Sequence, residues 1–235
     1  SKLYNEFEKK QIWLEAAKSG YDFINKYCFN EDKHMYFRVT RDGKPLVLRR
    51  YYFSEAFAVM GYAEYYKATG FEEAKSRAIE LYNLMVRYYT TPGYFPPKVN
   101  PKTRSNKGHS IVMIMMNVSQ CMREIDDNPI YDKMIDKALD TILNVFIKED
   151  KKALLETVGK NGEFIDTPEG RFINPGHSME TAWFVMKEAI RRKDRSIMEK
   201  AIKVTEWSLM RGWDKEKDGI FYFVDLDNKP VLSLE

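Results

Sequence analysis

A histidine and a glutamate at the start of one predicted helix have the clearest chemical potential in this sequence. Asn174 is a favoured N-cap and Pro175 a favoured first helical residue, so a helix is predicted to begin there. His177 then lies in the first turn, with Glu180 three residues later on the same face. The helix dipole disfavours an imidazolium at this end, and the carboxylate can orient the ring, so the pair indicates general base chemistry. A capped helix with a structural histidine explains the same spacing equally well.

The composition excludes several functional classes. With 235 residues, 44% hydrophobic and 31% charged, the chain resembles one soluble globular domain. The net charge is +3 and no dense basic run occurs, which argues against nucleic-acid binding. No run approaches the ~18 apolar residues of a membrane span, and no apolar segment of a signal peptide follows residues 1–6.

Metal and cofactor signals are absent from the sequence. The 3 histidines lie far apart and no cysteine pair has metal-ligand spacing, so no metal site is predicted. No glycine-rich phosphate loop occurs, and no required cofactor is predicted. Cys28 and Cys121 are interpreted as small buried thiols in a reducing compartment, which predicts a cytoplasmic location.

Helical periodicity organises most of the chain. Apolar spacing at three and four residues predicts helices over residues 4–27, 53–68, 71–89, 109–125, 130–147, 175–190 and 195–213. Short and long connections alternate between them. The long ones cover residues 30–52, 90–108, 148–174 and 214–235. Long loops inside a compact domain usually carry function.

Hairpins are predicted in three of these long connections. Residues 36–46 and 221–231 resemble each other around Asp-Gly and Asp-Asn turns, and residues 154–164 have a similar shape. Helix pairs separated by hairpins form an internal repeat of about 60 residues. This plan favours an α/α toroid, in which long loops and inner-helix N-termini gather at one end. An open helical solenoid that binds a protein partner is the alternative.

Four segments, in order, resemble the N-acylglucosamine 2-epimerases, also called renin-binding proteins. The most specific of them carries Asn-Pro-Gly-His at residues 174–177, followed by Glu180 and Trp-Phe. The other three are residues 50–57, 113–118 and 211–223. Together they cover nearly the whole chain. The resemblance implies one all-α domain over residues 1–235, an (α/α)6 barrel of helical hairpins with short β-hairpins in the long loops.

The resemblance also implies an isomerase that interconverts N-acyl-D-glucosamine and N-acyl-D-mannosamine. In such enzymes the open-chain aldehyde acidifies the proton on C2, a base removes it, and its return from the opposite face inverts the carbon. The family histidine that matches His177 is one of two acid/base histidines, and the glutamate that matches Glu180 supports the site. ATP as an activator is implied by the family alone.

Other functions stay open at this stage. Cellobiose or mannose 2-epimerases and aldose–ketose isomerases share the fold, and the exact sugar cannot be read from the sequence. A helical protein-binding module, as the name renin-binding implies, is the alternative of another class.

Weaker site candidates begin other predicted inner helices. Arg50, Tyr52 and Glu55 are predicted to contact substrate hydroxyls, although an ordinary helix start is as good an interpretation. His109 is predicted to line the pocket, and Asn174 is included as a further substrate contact. We expect the helix starts near Glu55, His109 and His177 to converge.

The length of the chain bears on completeness. The repeat of about 60 residues accommodates roughly four helix pairs, whereas the family ring has six. The family's second acid/base histidine has no counterpart among the residues present. We therefore expect an incomplete ring, either a partly recorded sequence or a chain that pairs with others, with a homodimer as one arrangement.

Overall fold

Helices form most of the chain and are joined by very short strands. A computed structural model of the protein describes residues 1–48, 52–94, 100–229 and 231. Its α-helices are α1 (Lys2–Glu6), α2 (Gln11–Tyr27), α3 (Phe53–Thr69), α4 (Glu72–Thr90), α5 (Ser110–Arg123), α6 (Ile130–Thr141), α7 (Pro168–Arg171), α8 (Pro175–Arg192) and α9 (Arg195–Gly212). A π-helical turn, Ile142–Phe146, continues α6.

The strands pair two by two as antiparallel ladders. They are β1 (Arg38–Val39), β2 (Pro45–Val47), β3 (Lys107–Gly108), β4 (Ile147–Lys148), β5 (Ala153–Leu154), β6 (Thr157–Val158), β7 (Phe172–Ile173), β8 (Trp213–Asp214), β9 (Gly219–Ile220) and β10 (Val224–Asp225). The pairs are β1 with β2, β3 with β6, β4 with β5, β7 with β10, and β8 with β9. No helix in the described part of the chain is long and apolar enough to cross a membrane.

The contacts within the chain divide it into two compact units. The first contains residues 1–96 and 118–133, and the second contains residues 97–117 and 134–235. That residues 1–235 form a single domain stays a prediction.

Most predicted helices are confirmed, and the first is wrong as a single helix. The helices predicted over residues 53–68, 175–190 and 195–213 correspond to α3, α8 and α9. The segment predicted over residues 4–27 is split into α1 and α2. Glu8, Lys9 and Lys10 are three consecutive charged residues, which offer no apolar position to hold a turn, and Lys10 is extended (φ −79°, ψ 119°).

One predicted hairpin is confirmed and two are wrong. The pairing of β1 with β2 places Arg38 opposite Val47, as expected for residues 36–46. Residues 221–231 instead supply β10, which pairs with β7, and the local hairpin is β8 with β9. Residues 154–164 supply β5 and β6, which pair with β4 and β3. Alternation predicts a strand but leaves its partner open, because distant segments compete for the same backbone hydrogen bonds.

The first unit is built on the helical hairpin of α3 and α4. Gly70 ends α3 with φ +69°, a left-handed conformation that suits glycine. Buried tyrosines hold the neighbouring helices together through their hydroxyls. Tyr62 Oη donates to Asn25 Oδ1 in α2 at 2.8 Å, and Tyr82 Oη lies 2.8 Å from Ser119 Oγ in α5. Such partners remove the cost of burying a polar group.

The second unit contains the hairpin of α8 and α9. Lys193, in the left-handed region, closes α8, and the Asp194 side chain caps α9 by accepting from Ile197 N at 3.1 Å. The facing helix surfaces share a core with the π-helical turn and the strands, which includes Phe146, Leu154, Leu155, Val158, Ile173, Ala182, Phe184, Val185, Ala201 and Val204. This core fixes the segment around residues 147–158 beside α8.

Candidate active site

The start of α8 is built by its own sequence, as predicted. Asn174 Oδ1 accepts from the His177 backbone N–H at 3.1 Å, and Pro175 occupies the first helical turn. Gly176 leaves room for this cap, since a Cβ there would lie 3.2 Å from Asn174 Oδ1. Gly212, at the end of α9, lies so close to the same turn that an added Cβ would meet Pro175 Cβ at 2.6 Å. The position of the first turn, and of His177, therefore depends on two glycines.

A glutamate from a different segment faces this helix start. Glu156 lies between β5 and β6, and the pairing of β6 with β3 continues through a hydrogen bond from His109 N to Glu156 O at 2.9 Å. That backbone bond places His109 and Glu156 side by side. The side chain of Glu156 is only 11% exposed.

Two imidazoles approach one oxygen of this carboxylate. His177 Nδ1 lies 3.1 Å from Glu156 Oε1, a hydrogen bond, and His109 Nδ1 lies 3.7 Å from the same atom, beyond hydrogen-bond length. On the other side of the His109 ring, Nε2 lies 3.0 Å from Thr181 Oγ1. The side chain of His109 is fully buried, whereas that of His177 is 38% exposed.

The contact between Glu156 and His177 shifts the pKa values of both groups. Burial raises the pKa of Glu156, but the hydrogen bond from His177 and the proximity of both imidazoles outweigh it and lower that pKa to about 2. The hydrogen bond to Glu156 raises the pKa of His177 against the opposing effect of burial, and the negative charge of Glu180 adds to the rise. Since the helix dipole predicted the opposite direction for His177, the Glu156 contact outweighs the dipole here.

This geometry leaves one ring nitrogen of His177 open. An ionised carboxylate only accepts hydrogen bonds, so Nδ1 of His177 carries a proton toward Glu156. In the neutral ring, the lone pair is then on Nε2, on a side chain that is partly exposed. Such an arrangement can accept and return a proton.

The predicted pair is partly replaced by a residue that the sequence analysis missed. Glu180 is exposed and acts on His177 through its charge, while the carboxylate that hydrogen-bonds the ring belongs to Glu156. The available signal was a lone glutamate in the apolar run Leu-Leu-Glu-Thr-Val. Because Glu156 is 21 residues from His177, helical spacing could not find it.

The remaining predicted contacts have mixed placements. Asn174 is 3% exposed and its side-chain oxygen caps α8, and His109 is enclosed behind Glu156. Tyr52 is 2% exposed and stacks on Phe53. Substrate contact by these residues stays a prediction.

Of the predicted substrate-contact residues, Glu55 belongs to the first unit and Arg50 lies outside the described residues. Glu55 is buried and its Oε1 accepts from the Met35 backbone N–H at 3.0 Å. Convergence of Glu55 with His109 and His177 stays a prediction, whereas His109 and His177 do meet at Glu156. Within the described ranges, no group of three or more His, Cys, Asp or Glu side chains is placed to hold a metal ion.

Comparison with known proteins gives matches over the whole chain. The family model N-acylglucosamine 2-epimerase matches residues 1–233. N-acylglucosamine 2-epimerases from Bos taurus and Homo sapiens are each 30% identical over 100% of this chain. The matches cover 57% and 56% of those relatives, so the chain spans little more than half of their length. A cellobiose 2-epimerase from Dictyoglomus turgidum is 26% identical over 83% of the chain and 52% of that relative.

Solved structures share the fold. A cellobiose 2-epimerase from Bacillus thermoamylovorans superposes with a TM-score of 0.78 at 18% identity, covering 94% of this chain and 62% of that one. A D-mannose isomerase superposes with a TM-score of 0.76 at 16% identity, covering 97% and 61%. At these identities the likeness establishes the fold alone. The predicted class, helical hairpins of the (α/α)6-barrel type with short strands, is confirmed.

Proposed function

The chain belongs to the N-acylglucosamine 2-epimerase family, and we propose that the protein is a carbohydrate 2-epimerase that interconverts N-acyl-D-glucosamine and N-acyl-D-mannosamine. The observation that carries the proposal is the hydrogen bond of 3.1 Å between His177 Nδ1 and Glu156 Oε1. It leaves Nε2 of a half-buried imidazole open at a helix start.

The proposed chemistry is proton transfer at C2 of the open-chain sugar. The aldehyde acidifies the C2 proton, His177 Nε2 exchanges that proton on one face, and an enediolate forms in between. Return of a proton to the opposite face takes a second acid/base, which the family resemblance assigns to a further histidine. The positive end of the α8 dipole lies at the same turn and favours the negative charge that develops on the enediolate. Glu180, exposed one turn into α8, adds negative charge that favours the protonated form of His177.

The acyl-sugar substrate is favoured by the sequence comparison. The N-acylglucosamine 2-epimerases match all of the chain at 30% identity, against 83% of the chain at 26% for the first cellobiose 2-epimerase. Epimerisation of cellobiose or isomerisation of mannose is the second candidate, because solved structures with those names share the fold. A protein-binding module is not favoured.

Incubation of the protein at its natural length in deuterated water tests the activity. N-acetylglucosamine, N-acetylmannosamine, cellobiose and mannose are supplied separately, and C2 deuterium and the product epimer are followed by NMR. We expect both signals with the two N-acetyl sugars. Turnover of cellobiose or mannose alone would favour the second candidate, and no exchange with any sugar would refute the epimerase.

Cofactor, assembly and location follow the same proposal. C2 proton transfer between histidines needs no metal, so we expect activity to survive chelation by EDTA, and added ATP tests the activation that the family resemblance implies. We also propose a cytoplasmic protein, since Cys28 and Cys121 are free thiols, as in a reducing compartment. A homodimer is the oligomeric state that sedimentation would test.

A further inference from the structure

We infer that Glu156 is the positioning residue that fixes the Nδ1–H tautomer of His177, and that the buried pair of His109 and Thr181 holds Glu156 in place. The inference rests on the proposed function only in making His177 Nε2 the proton-transfer atom. Its structural content, one carboxylate oxygen that is hydrogen-bonded to His177 and approached by His109, stands on the distances alone.

The spacing along α8 explains how one helix reaches both partners. His177 and Thr181 are four residues apart and lie on the same face. His177 meets Glu156 Oε1 at 3.1 Å, and Thr181 Oγ1 meets His109 Nε2 at 3.0 Å. Glu180, one residue off this face, is exposed. The face of α8 that carries His177 and Thr181 therefore packs against Glu156 and His109, and Glu180 lies outside this contact.

His109 acts as the rear support of Glu156. Its backbone N–H donates to Glu156 O at 2.9 Å, and its ring packs edge-on against Phe146, with centroids 5.4 Å apart. Its ring lies between two groups, with Nδ1 3.7 Å from Glu156 Oε1 and Nε2 3.0 Å from Thr181 Oγ1. Because the side chain of His109 is fully buried, this orientation is locked by packing.

The titratable groups around His177 come from three segments. Glu156 lies between β5 and β6, Glu180 lies on the same helix, and His109 precedes α5 and acts through Glu156. Removal of the Glu156 charge therefore takes away the carboxylate that is hydrogen-bonded to His177 and leaves Glu180, which acts on the ring through its charge.

Nitrogen-15 NMR of the imidazole rings tests the inference without relying on activity. The protein has only 3 histidines, so single substitutions assign every ring. In the wild-type protein we expect His177 in the Nδ1–H tautomer. In Glu156→Gln, whose amide can donate as well as accept, we expect mixed tautomers and a lower titration midpoint for His177. An unchanged tautomer and midpoint would overturn the role of Glu156.

A second variant tests the contribution of the His109 and Thr181 pair, and it replaces the first test if Glu156→Gln does not fold. Thr181→Val is nearly isosteric and removes only the hydroxyl at His109 Nε2. We expect a smaller fall of the His177 midpoint in this variant, with the same helical circular dichroism. A His177 ring identical to wild type would overturn the role of the His109 and Thr181 pair.

Activity separates this inference from the proposed function. We expect Glu156→Gln to lower kcat about 10- to 100-fold with little change in KM, by analogy with the carboxylates that orient metal-binding imidazoles. Absence of C2 exchange in the wild-type protein, with His177 still dependent on Glu156, would refute the epimerase alone. Full exchange in a Glu156→Gln protein whose tautomer has changed would refute the catalytic use of the tautomer.

Discussion

The starts of α5 and α8 place two histidines on one carboxylate, and only one of them is open. His109, before α5, is fully buried and stands 3.7 Å from Glu156 Oε1, while His177 in α8 is 38% exposed and stands 3.1 Å from it. Both rings have the same intrinsic chemistry. The difference teaches that exposure of the second ring nitrogen, rather than the presence of a histidine at a helix start, separates a proton-transfer group from a support.

The largest expected effect is the loss of activity when His177, the more exposed of the two histidines, is replaced. His177→Asn removes the ring that the proposal makes the C2 acid/base, so we expect epimerisation to fall by about 10²- to 10⁴-fold. His34→Asn is the matched control, because His34 belongs to the first unit and contacts Tyr88. Initial rates and circular dichroism are compared for both. A folded His177→Asn enzyme with wild-type rates would rule out the assignment.

The role of His109, the buried histidine, is tested by its effect on the free energy of unfolding. His109→Gln leaves Glu156 without its rear support and disturbs a fully buried site, so we expect a loss of about 1–3 kcal/mol in the free energy of unfolding. Activity should fall less than in His177→Asn. Urea unfolding and initial rates measure the two effects. An equal loss of rate in the two folded variants would make both histidines catalytic and erase the comparison.

A substitution at Gly212 is expected to shift the first turn of α8, which carries His177, without changing any titratable side chain. Gly212→Ala places a Cβ against Pro175, so α8 or α9 must shift, and we expect about 1–3 kcal/mol of destabilisation. Gly20→Ala is the control, because a Cβ at that exposed position in α2 meets nothing within 4 Å and alanine favours helix. Thermal unfolding compares them. Equal stabilities would show that the close approach of Gly212 is unimportant.

Acid stability tests the shared carboxylate. The pKa of Glu156 is lowered from 4.5 to about 2, so its contribution to stability is present above pH 4.5 and is lost as pH falls toward about 2. The raised pKa of His177 adds stability that is full below 6.5 and is lost as pH rises through the folded value. We expect Glu156→Gln to flatten both slopes in urea unfolding between pH 2 and 8. Unchanged slopes would contradict the pairing.

The smallest expected effect concerns Glu180. It raises the pKa of His177 by charge alone, the last of the causes acting on that ring. Glu180→Gln should therefore lower the His177 midpoint less than Glu156→Gln does, with a matching small shift of the pH–rate profile. A larger shift from Glu180→Gln than from Glu156→Gln would return the supporting role to the residue that sequence spacing favoured.

Sequence reasoning reached what is local and missed what is assembled over distance. The cap by Asn174, the start of α8 and the hairpin turn at Gly70 follow from side chains within one turn, and they were predictable. Glu156 was not, because a short strand pairing of β3 with β6 brings it to His177. The same limit applies to β10, whose partner β7 lies about 50 residues away along the chain.

The central claim is that His177, held by Glu156, exchanges the C2 proton. Its most direct test compares two titrations of the natural-length protein: the His177 ring by NMR, and kcat/KM for C2 exchange of N-acetylmannosamine. In the wild-type enzyme the limb that rises with pH should have the same midpoint as the ring, and in Glu156→Gln both midpoints should fall together. A ring midpoint that moves while the rate profile stays fixed would contradict the claim.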